Sequence, residues 1–166
     1  MSQPISGKSS FPAFLAILLA WLTAGTLDIT AACTQYYIKT GKGPGGVLRY
    51  VASAVFGKEA FAGGTTMSAW GLLFHYMIAL LFTLFFFWIY PLLNLGKWNK
   101  VITGLLYGIF VWLVMNLVVV RIAMGARPIV LKNAAIAMGI LMVCIGLPIS
   151  LIIGRYYQKK ITRVSL

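Results

Sequence analysis

The chain has 166 residues, of which 61% are hydrophobic and only 10% are charged. A soluble globular domain has about 25% charged residues, so this composition is typical of a bilayer protein. It excludes a disordered tail, a disulfide-rich secreted module and an ordinary cytosolic enzyme. The 14 Lys and Arg residues stand against two acids, Asp28 and Glu59, and give a net charge of +12. Because the cations lie between apolar runs, we expect them to face anionic lipid head groups, and we expect no nucleic-acid partner.

Four apolar stretches are long enough to cross about 30 Å of hydrocarbon as helices, and none shows the period of two that a barrel strand needs. The sequence therefore predicts an all-α, polytopic membrane protein. It forms a single domain over residues 1–166, a four-transmembrane-helix bundle with a short interfacial helix between spans 1 and 2. The predicted spans cover residues 11–37, 67–90, 101–124 and 134–154.

The connection between the first two spans contains the predicted interfacial helix, over residues 47–56. Arg49 and Ser53 lie opposite an apolar face, which is typical of a helix lying on a membrane surface. That apolar face consists of Leu48, Val51, Ala52 and Val55. After this helix, Thr65 or Thr66 is expected to cap the second span.

Two prolines mark positions where the long helices are expected to change course. Pro91 is predicted to end the second span, because proline has no N–H to continue a helix. Pro148 lies inside the fourth span and is expected to kink it.

Polar residues lie at one depth inside the predicted spans. At 1.5 Å per residue, Asp28, His75 and Asn116 all lie roughly 12–14 Å from the membrane face that carries the long first connection. Arg121 begins one turn nearer that face and is expected to reach inward to Asp28. The sequence therefore predicts an intramembrane polar cluster of Asp28, His75, Asn116 and Arg121.

Small residues recur every four positions along each span, which indicates the faces where transmembrane helices approach each other. Asp28 and His75 continue two of these rows, so both are expected to face the bundle interior. The predicted helix-packing residues are Ala20, Ala24, Gly71, Ala79, Gly104, Gly108, Gly146 and Ser150.

An unpaired carboxylate inside a bilayer costs at least about 2.5 kcal/mol, so Asp28 needs a partner or a wet surrounding. In the structural interpretation, Asp28 pairs with Arg121 or His75 and fixes the helix register. In the functional interpretation, Asp28 is a protonatable site that lines a water-filled cavity.

Patterns for catalysis and for metal binding are weak. His75 has no nearby Glu, Cys or second His, which falls short of a zinc or haem site, so neither a metal nor a cofactor is expected. Asp28 and Glu59 cannot form an acid–base pair, because one lies in a span and the other in a surface segment. The cysteines, Cys33 and Cys144, lie at different depths, which disfavours a disulfide. We therefore expect that the protein is not an enzyme.

Two stretches carry a resemblance to a known group of proteins. They are residues 50–91, YVASAVFGKEAFAGGTTMSAWGLLFHYMIALLFTLFFFWIYP, and residues 104–120, GLLYGIFVWLVMNLVVV. They resemble small bacterial four-span inner-membrane proteins and are similar to the YagU-like family. The similarity includes His75 and Asn116. It implies a multi-pass protein of the bacterial inner (plasma) membrane with four helices, and it implies no activity.

Two functions are predicted. The first is a non-enzymatic integral membrane protein that acts by helix packing, either as a homo-oligomer or as an accessory subunit of a larger membrane complex. The alternative is a small proton- or cation-coupled transporter or channel that uses Asp28, including a dual-topology dimer. Basic residues divide equally between the two sides, so charge does not fix the orientation, but the basic cluster at 155–163 favours cytoplasmic termini.

Overall fold

The structure is a computed structural model that describes residues 12–125 and 130–164, and these residues form helices and turns but no strand. Four of the helices are long and apolar enough to cross a membrane. The predicted start of the first span at Phe11 lies outside the described residues, as do the cations Lys8 and Arg127. The expectation of an all-helical chain with four long apolar helices is confirmed.

The long helices are α1 (Ala13–Thr40), α3 (Gly64–Leu92), α4 (Lys100 to Met124) and α5 (Leu131 to Val164). The short helix α2 covers Gly45–Phe56 between α1 and α3. Both α4 and α5 contain one π-helical segment, at Val114–Val119 and at Met142–Gly146 respectively. The second of these segments ends two residues before Pro148, where the sequence predicts a kink.

The predicted cap of the second span is wrong. The helix α3 already begins at Gly64, and its N-cap residue is Gly63, so neither Thr65 nor Thr66 caps it. Gly64 has a φ of 58°, a left-handed conformation that glycine adopts without strain. The glycine pair therefore sets the start of the helix.

The predicted end of the second span is also wrong, because α3 continues through Pro91 to Leu92. Pro91 has no N–H to donate to the carbonyl of Phe87, one turn earlier. The hydroxyl of Tyr157, on α5, donates to that carbonyl at 3.0 Å. A neighbouring helix thus satisfies the freed carbonyl, which is how transmembrane helices tolerate proline.

We expect Tyr157→Phe to destabilise the protein by about 1 kcal/mol, because the Phe87 carbonyl loses its donor. In a Pro91→Ala background the restored N–H can bond to the same carbonyl, so Tyr157→Phe should cost clearly less. Thermal unfolding of all four proteins in detergent measures this coupling. Strictly additive effects of the two substitutions would contradict the explanation.

The helix α5 lies at the centre of the bundle, where it packs against both α1 and α4, while α3 packs against α1. The α4–α5 contact is a backbone contact, since a Cβ added to Gly104 would lie 2.9 Å from the carbonyl oxygen of Gly146. Nearby, the Ser150 hydroxyl donates to the Lys100 carbonyl at 2.8 Å. All eight predicted helix-packing residues are buried within this chain.

The helices α3 and α4 meet through aromatic side chains. The rings of Phe86 and Tyr107 are 4.6 Å apart, and Phe85 stacks on Phe110 at 5.4 Å. The Tyr107 hydroxyl donates to the carbonyl of Phe82 at 2.6 Å. These rings lie in the half of the bundle near the connection between α3 and α4, where they line an apolar cavity of about 420 Å³.

The helix α2 packs against the first half of α3, where Gly71 lies directly under the carbonyl of Leu48. Its predicted polar face is wrong at one position. Ser53, expected on the polar face, is only 6% exposed and donates to the Tyr50 carbonyl. Close helix contact selects small side chains in preference to apolar ones, so α2 buries its small side.

Candidate functional site

The half of the bundle nearer α2 holds an acid and an imidazole that face each other. This half ends where α1 and α4 finish and where α3 and α5 begin, and we call that end the α2 end. Oδ2 of Asp28 on α1 lies 4.0 Å from Nδ1 of His75 on α3, and the two side chains are 17% and 12% exposed. The distance exceeds a direct hydrogen bond, so the two groups interact electrostatically.

The second ring nitrogen of His75 contacts a backbone carbonyl, which determines how the ring faces Asp28. Nε2 lies 2.9 Å from the carbonyl oxygen of Gly25. A carbonyl oxygen only accepts, so Nε2 carries a hydrogen, and a neutral ring turns the lone pair of Nδ1 toward Asp28. An ionised Asp28 carboxylate and that lone pair would repel each other, because both are electron-rich. One added proton, on the carboxylate or on Nδ1, removes the conflict, so the arrangement suits a pair that binds one proton.

Gly25 is a site residue that sequence reasoning missed. A Cβ at this position would lie 2.9 Å from the ring of Tyr76, so only glycine allows α3 to come this close. On either side of Gly25, Trp21 Nε1 donates to the Tyr76 carbonyl at 2.7 Å, and the hydroxyls of Thr26 and Tyr76 lie 2.9 Å apart. The only sequence signal is that Gly25 precedes Asp28 by about one helical turn.

An inner cavity of about 270 Å³ adjoins the pair and reaches Asn116 of α4. The residues that line it include Phe82, Val111 and Ile145, which belong to the apolar core of the bundle or pack against it. The amide nitrogen of Asn116 donates to the carbonyl of Trp112 at 3.0 Å. Three of the four residues of the predicted cluster, Asp28, His75 and Asn116, therefore line one cavity.

An outer cavity of about 360 Å³ lies between the inner cavity and the α2 end. Its rim carries Lys39 of α1, Arg121 of α4 and Asn133 of α5, which are all exposed. The outer cavity is therefore open to the exterior. The residues that line both cavities are Gln35, Tyr50, Asn116, Val120 and Ala137.

The expectation that Arg121 reaches Asp28 is wrong. Arg121 lines the outer cavity only, and within the described part of the chain it forms no ion pair with Asp28. The π-helical segment that precedes Arg121 changes its direction relative to Asn116. In addition, a long cationic side chain is more favourable near the end of a helix, where its head group stays solvated.

No family model, curated protein or solved structure matches this chain. The similarity to the YagU-like family therefore stays a prediction. Within residues 12–125 and 130–164, no three His, Cys, Asp or Glu side chains come together as a metal site. The site is thus an acid–imidazole pair beside a mainly apolar inner cavity, which adjoins an outer cavity with a basic rim.

Proposed function

We propose that this chain is a small proton-coupled transporter, a multi-pass protein of the bacterial inner membrane in which the Asp28–His75 pair takes up and releases the proton. The contact between His75 Nε2 and the Gly25 carbonyl carries this proposal, because it turns Nδ1 toward Asp28 inside a cavity. Ionisable groups within membrane-spanning helices commonly form proton pathways. The geometry favours the alternative function predicted from the sequence.

Among the described residues, the pair is reached from the α2 end and not from the opposite end, which favours a transporter over a channel. The outer cavity leads from the exterior at the α2 end toward the inner cavity. On the opposite side Phe86 and Tyr107, which are 1% and 7% exposed, line a separate apolar cavity of about 420 Å³ that shares no lining residue with the inner cavity. A channel needs a continuous path, whereas a transporter that alternates its access is closed on one side in each state.

Few other titratable groups surround the pair. Tyr50 of α2 lines the same cavity, the ring of Tyr76 lies 5.5 Å from that of His75, and Cys144 of α5 lies within electrostatic range of Asp28. Glu59, the other acid of the chain, is exposed in the turn after α2. Asp28 is therefore the one carboxylate that can carry a proton inside the bundle.

The other predicted function, assembly by helix packing, depends on the rows of small residues. Those rows are buried inside this chain, where Gly104 meets Gly146 and where Ala20 and Ala24 are fully covered. The eight predicted packing residues therefore stabilise the fold of this chain and are not available as a contact surface for a second copy or for a partner. This observation supports transport over assembly.

The test is proton flux into vesicles that contain the purified protein and a trapped pH-sensitive dye. Under an inward proton gradient, in potassium phosphate and in potassium chloride, we expect the wild type to acidify the lumen faster than empty vesicles do. Asp28→Asn should lower this rate by about tenfold or more, which corresponds to about 1.4 kcal/mol in the barrier.

The matched control is Glu59→Gln, which removes the other carboxylate of the chain and should leave the rate unchanged. Thermal unfolding shows whether each variant remains folded. A wild-type rate equal to that of empty vesicles in both salts would overturn the proposal. An unchanged rate in a folded Asp28→Asn variant would overturn it as well.

A further inference from the structure

We propose that the outer cavity binds an oxyanion, a carboxylate or phosphate group, and that this group belongs to the solute that moves with the proton. The assignment to the solute rests on the proposed function, whereas the binding itself does not. Four features support the proposal. They are the positive charge of the outer cavity, a buried hydrogen-bond donor that has no acceptor, the π-helical segment of α4, and the position of the cavity between Asp28 and the α2 end.

The outer cavity has cations and no acid. Lys39 and Arg121 line it from α1 and α4, while Asp28 lines only the inner cavity and Glu59 lies on the exposed turn. The Lys39 ammonium donates to Oδ1 of Asn133 at 3.3 Å, which holds it at the rim and leaves the Asn133 amide nitrogen as a donor. Two cations that face one open cavity create a positive potential, which attracts an anion.

Trp112 adds a buried donor without an acceptor. This residue lines the outer cavity, and its indole nitrogen is buried and has no hydrogen-bond partner among the described residues. An unsatisfied buried N–H costs about 1–3 kcal/mol, so such a group usually has a partner. The indole can only donate, so its partner is an acceptor, and a rotation of the ring would bring the enclosed nitrogen to the surface of the outer cavity.

An oxyanion fits this donor set better than a halide does. The Arg121 guanidinium makes its strongest contacts as two parallel hydrogen bonds to two oxygens of one carboxylate or phosphate. The remaining oxygen lone pairs can accept from the Trp112 indole and from the Lys39 ammonium. A spherical chloride offers no such matched pair of acceptors.

The π-helical segment of α4 explains how Trp112 and Arg121 come to the same cavity. The two residues are nine positions apart, which is about two and a half turns of a regular α-helix and would place them on opposite sides. The segment Val114–Val119 lies between them, and its wider turn reduces the rotation per residue. Insertions of this kind often occur at functional sites.

The position of the outer cavity above the Asp28–His75 pair gives a physical basis for coupling. An anion that moves from the outer to the inner cavity approaches Asp28, and an ionised carboxylate repels it. Protonation of the pair removes that repulsion. The anion and the proton therefore favour each other's entry, as proton-coupled anion transport requires.

Binding is tested by thermal unfolding of the purified protein in a neutral detergent, with sodium phosphate, sodium acetate or sodium chloride at equal ionic strength. A ligand that binds the folded state raises the unfolding temperature in proportion to its occupancy. We expect phosphate or acetate to raise it more than chloride does. Arg121→Gln and Trp112→Phe should each weaken the apparent affinity by about tenfold or more.

The matched control is Arg155→Gln, which removes an exposed cation near the opposite end of the bundle and should bind like the wild type. Equal effects of all three salts would overturn the site. Unchanged affinity in both Arg121→Gln and Trp112→Phe would also overturn it.

The source of the oxyanion is tested in nanodiscs of phosphatidylcholine, with and without phosphatidylglycerol. A soluble solute predicts that phosphate or acetate stabilises the protein equally in both. If phosphatidylglycerol alone stabilises the protein and abolishes the effect of both salts, the site holds a lipid head group, and the assignment to the solute is overturned. Proton flux without a preference for oxyanions would overturn that assignment alone. Oxyanion binding without any proton flux would overturn the proposed function, and with it the assignment to the solute, but not the binding site.

Discussion

Gly146→Ala will lower the unfolding temperature of the protein by about 5 °C or more. The added Cβ would overlap the carbonyl oxygen of Gly104 and lie 2.8 Å from the amide nitrogen of Gly108. Both are backbone atoms of α4, so no side chain can turn aside to make room. The two helices would have to separate, and overpacking of this kind costs about 1–3 kcal/mol.

Gly139→Ala is the matched control, because Gly139 lies on the same helix, seven residues earlier, with no atom within 4 Å of its added Cβ. Alanine is the better helix former by about 0.8–1.0 kcal/mol, so this variant should unfold at the same temperature or higher. Thermal unfolding in one detergent compares the two proteins directly. If both variants unfold like the wild type, α4 and α5 do not touch at Gly146.

The sequence predicts the four long helices and the depth of the polar residues, because both depend on local information. A run of apolar residues determines whether a helix can cross a bilayer, and a count along that helix gives the depth of Asp28, His75 or Asn116. The periodic small residues likewise indicate buried faces, as Gly104 and Gly146 show.

Other features of the site depend on contacts between distant segments and could not be predicted. The rotation of Arg121 away from Asp28 follows a π-helical segment, whose hydrogen bonding leaves no clear sequence pattern. The role of Gly25 depends on the close approach of Tyr76 from another helix. The burial of Ser53 depends on how α2 packs against α3, which overrides the apolar pattern of α2 itself.

These departures from regular helix geometry occur together at the candidate site. Asn116, which lines both cavities, lies within the π-helical segment of α4, and Ile145 of the inner cavity lies within that of α5. A regular α4 would place Trp112 and Arg121 on opposite faces. The π-helical segment of α4 could not be predicted from the sequence, and the same segment places Trp112 and Arg121 at the outer cavity, next to the acid–imidazole pair.

Ala137→Phe will reduce proton flux by about tenfold or more, because a barrier increase of about 1.4 kcal/mol is enough for this effect. Ala137 lines both cavities, so a phenyl ring at this position would fill the space through which they adjoin. Ala135, two residues earlier on α5, is exposed and lines neither cavity, and Ala135→Phe should keep the wild-type rate. The vesicle assay, with the same imposed proton gradient, measures both variants.

A measurement of oxyanion binding shows whether Ala137→Phe lowers proton flux by blocking the path or by disrupting the fold. If Ala137→Phe still binds phosphate or acetate at the outer cavity and unfolds at the wild-type temperature, its low flux reflects a blocked path to Asp28. Full proton flux in a stable Ala137→Phe variant would mean that protons reach Asp28 by another path. In that case the outer cavity would not serve as the entrance, even if it binds an anion, because a ring at a wall that both cavities share would obstruct that path.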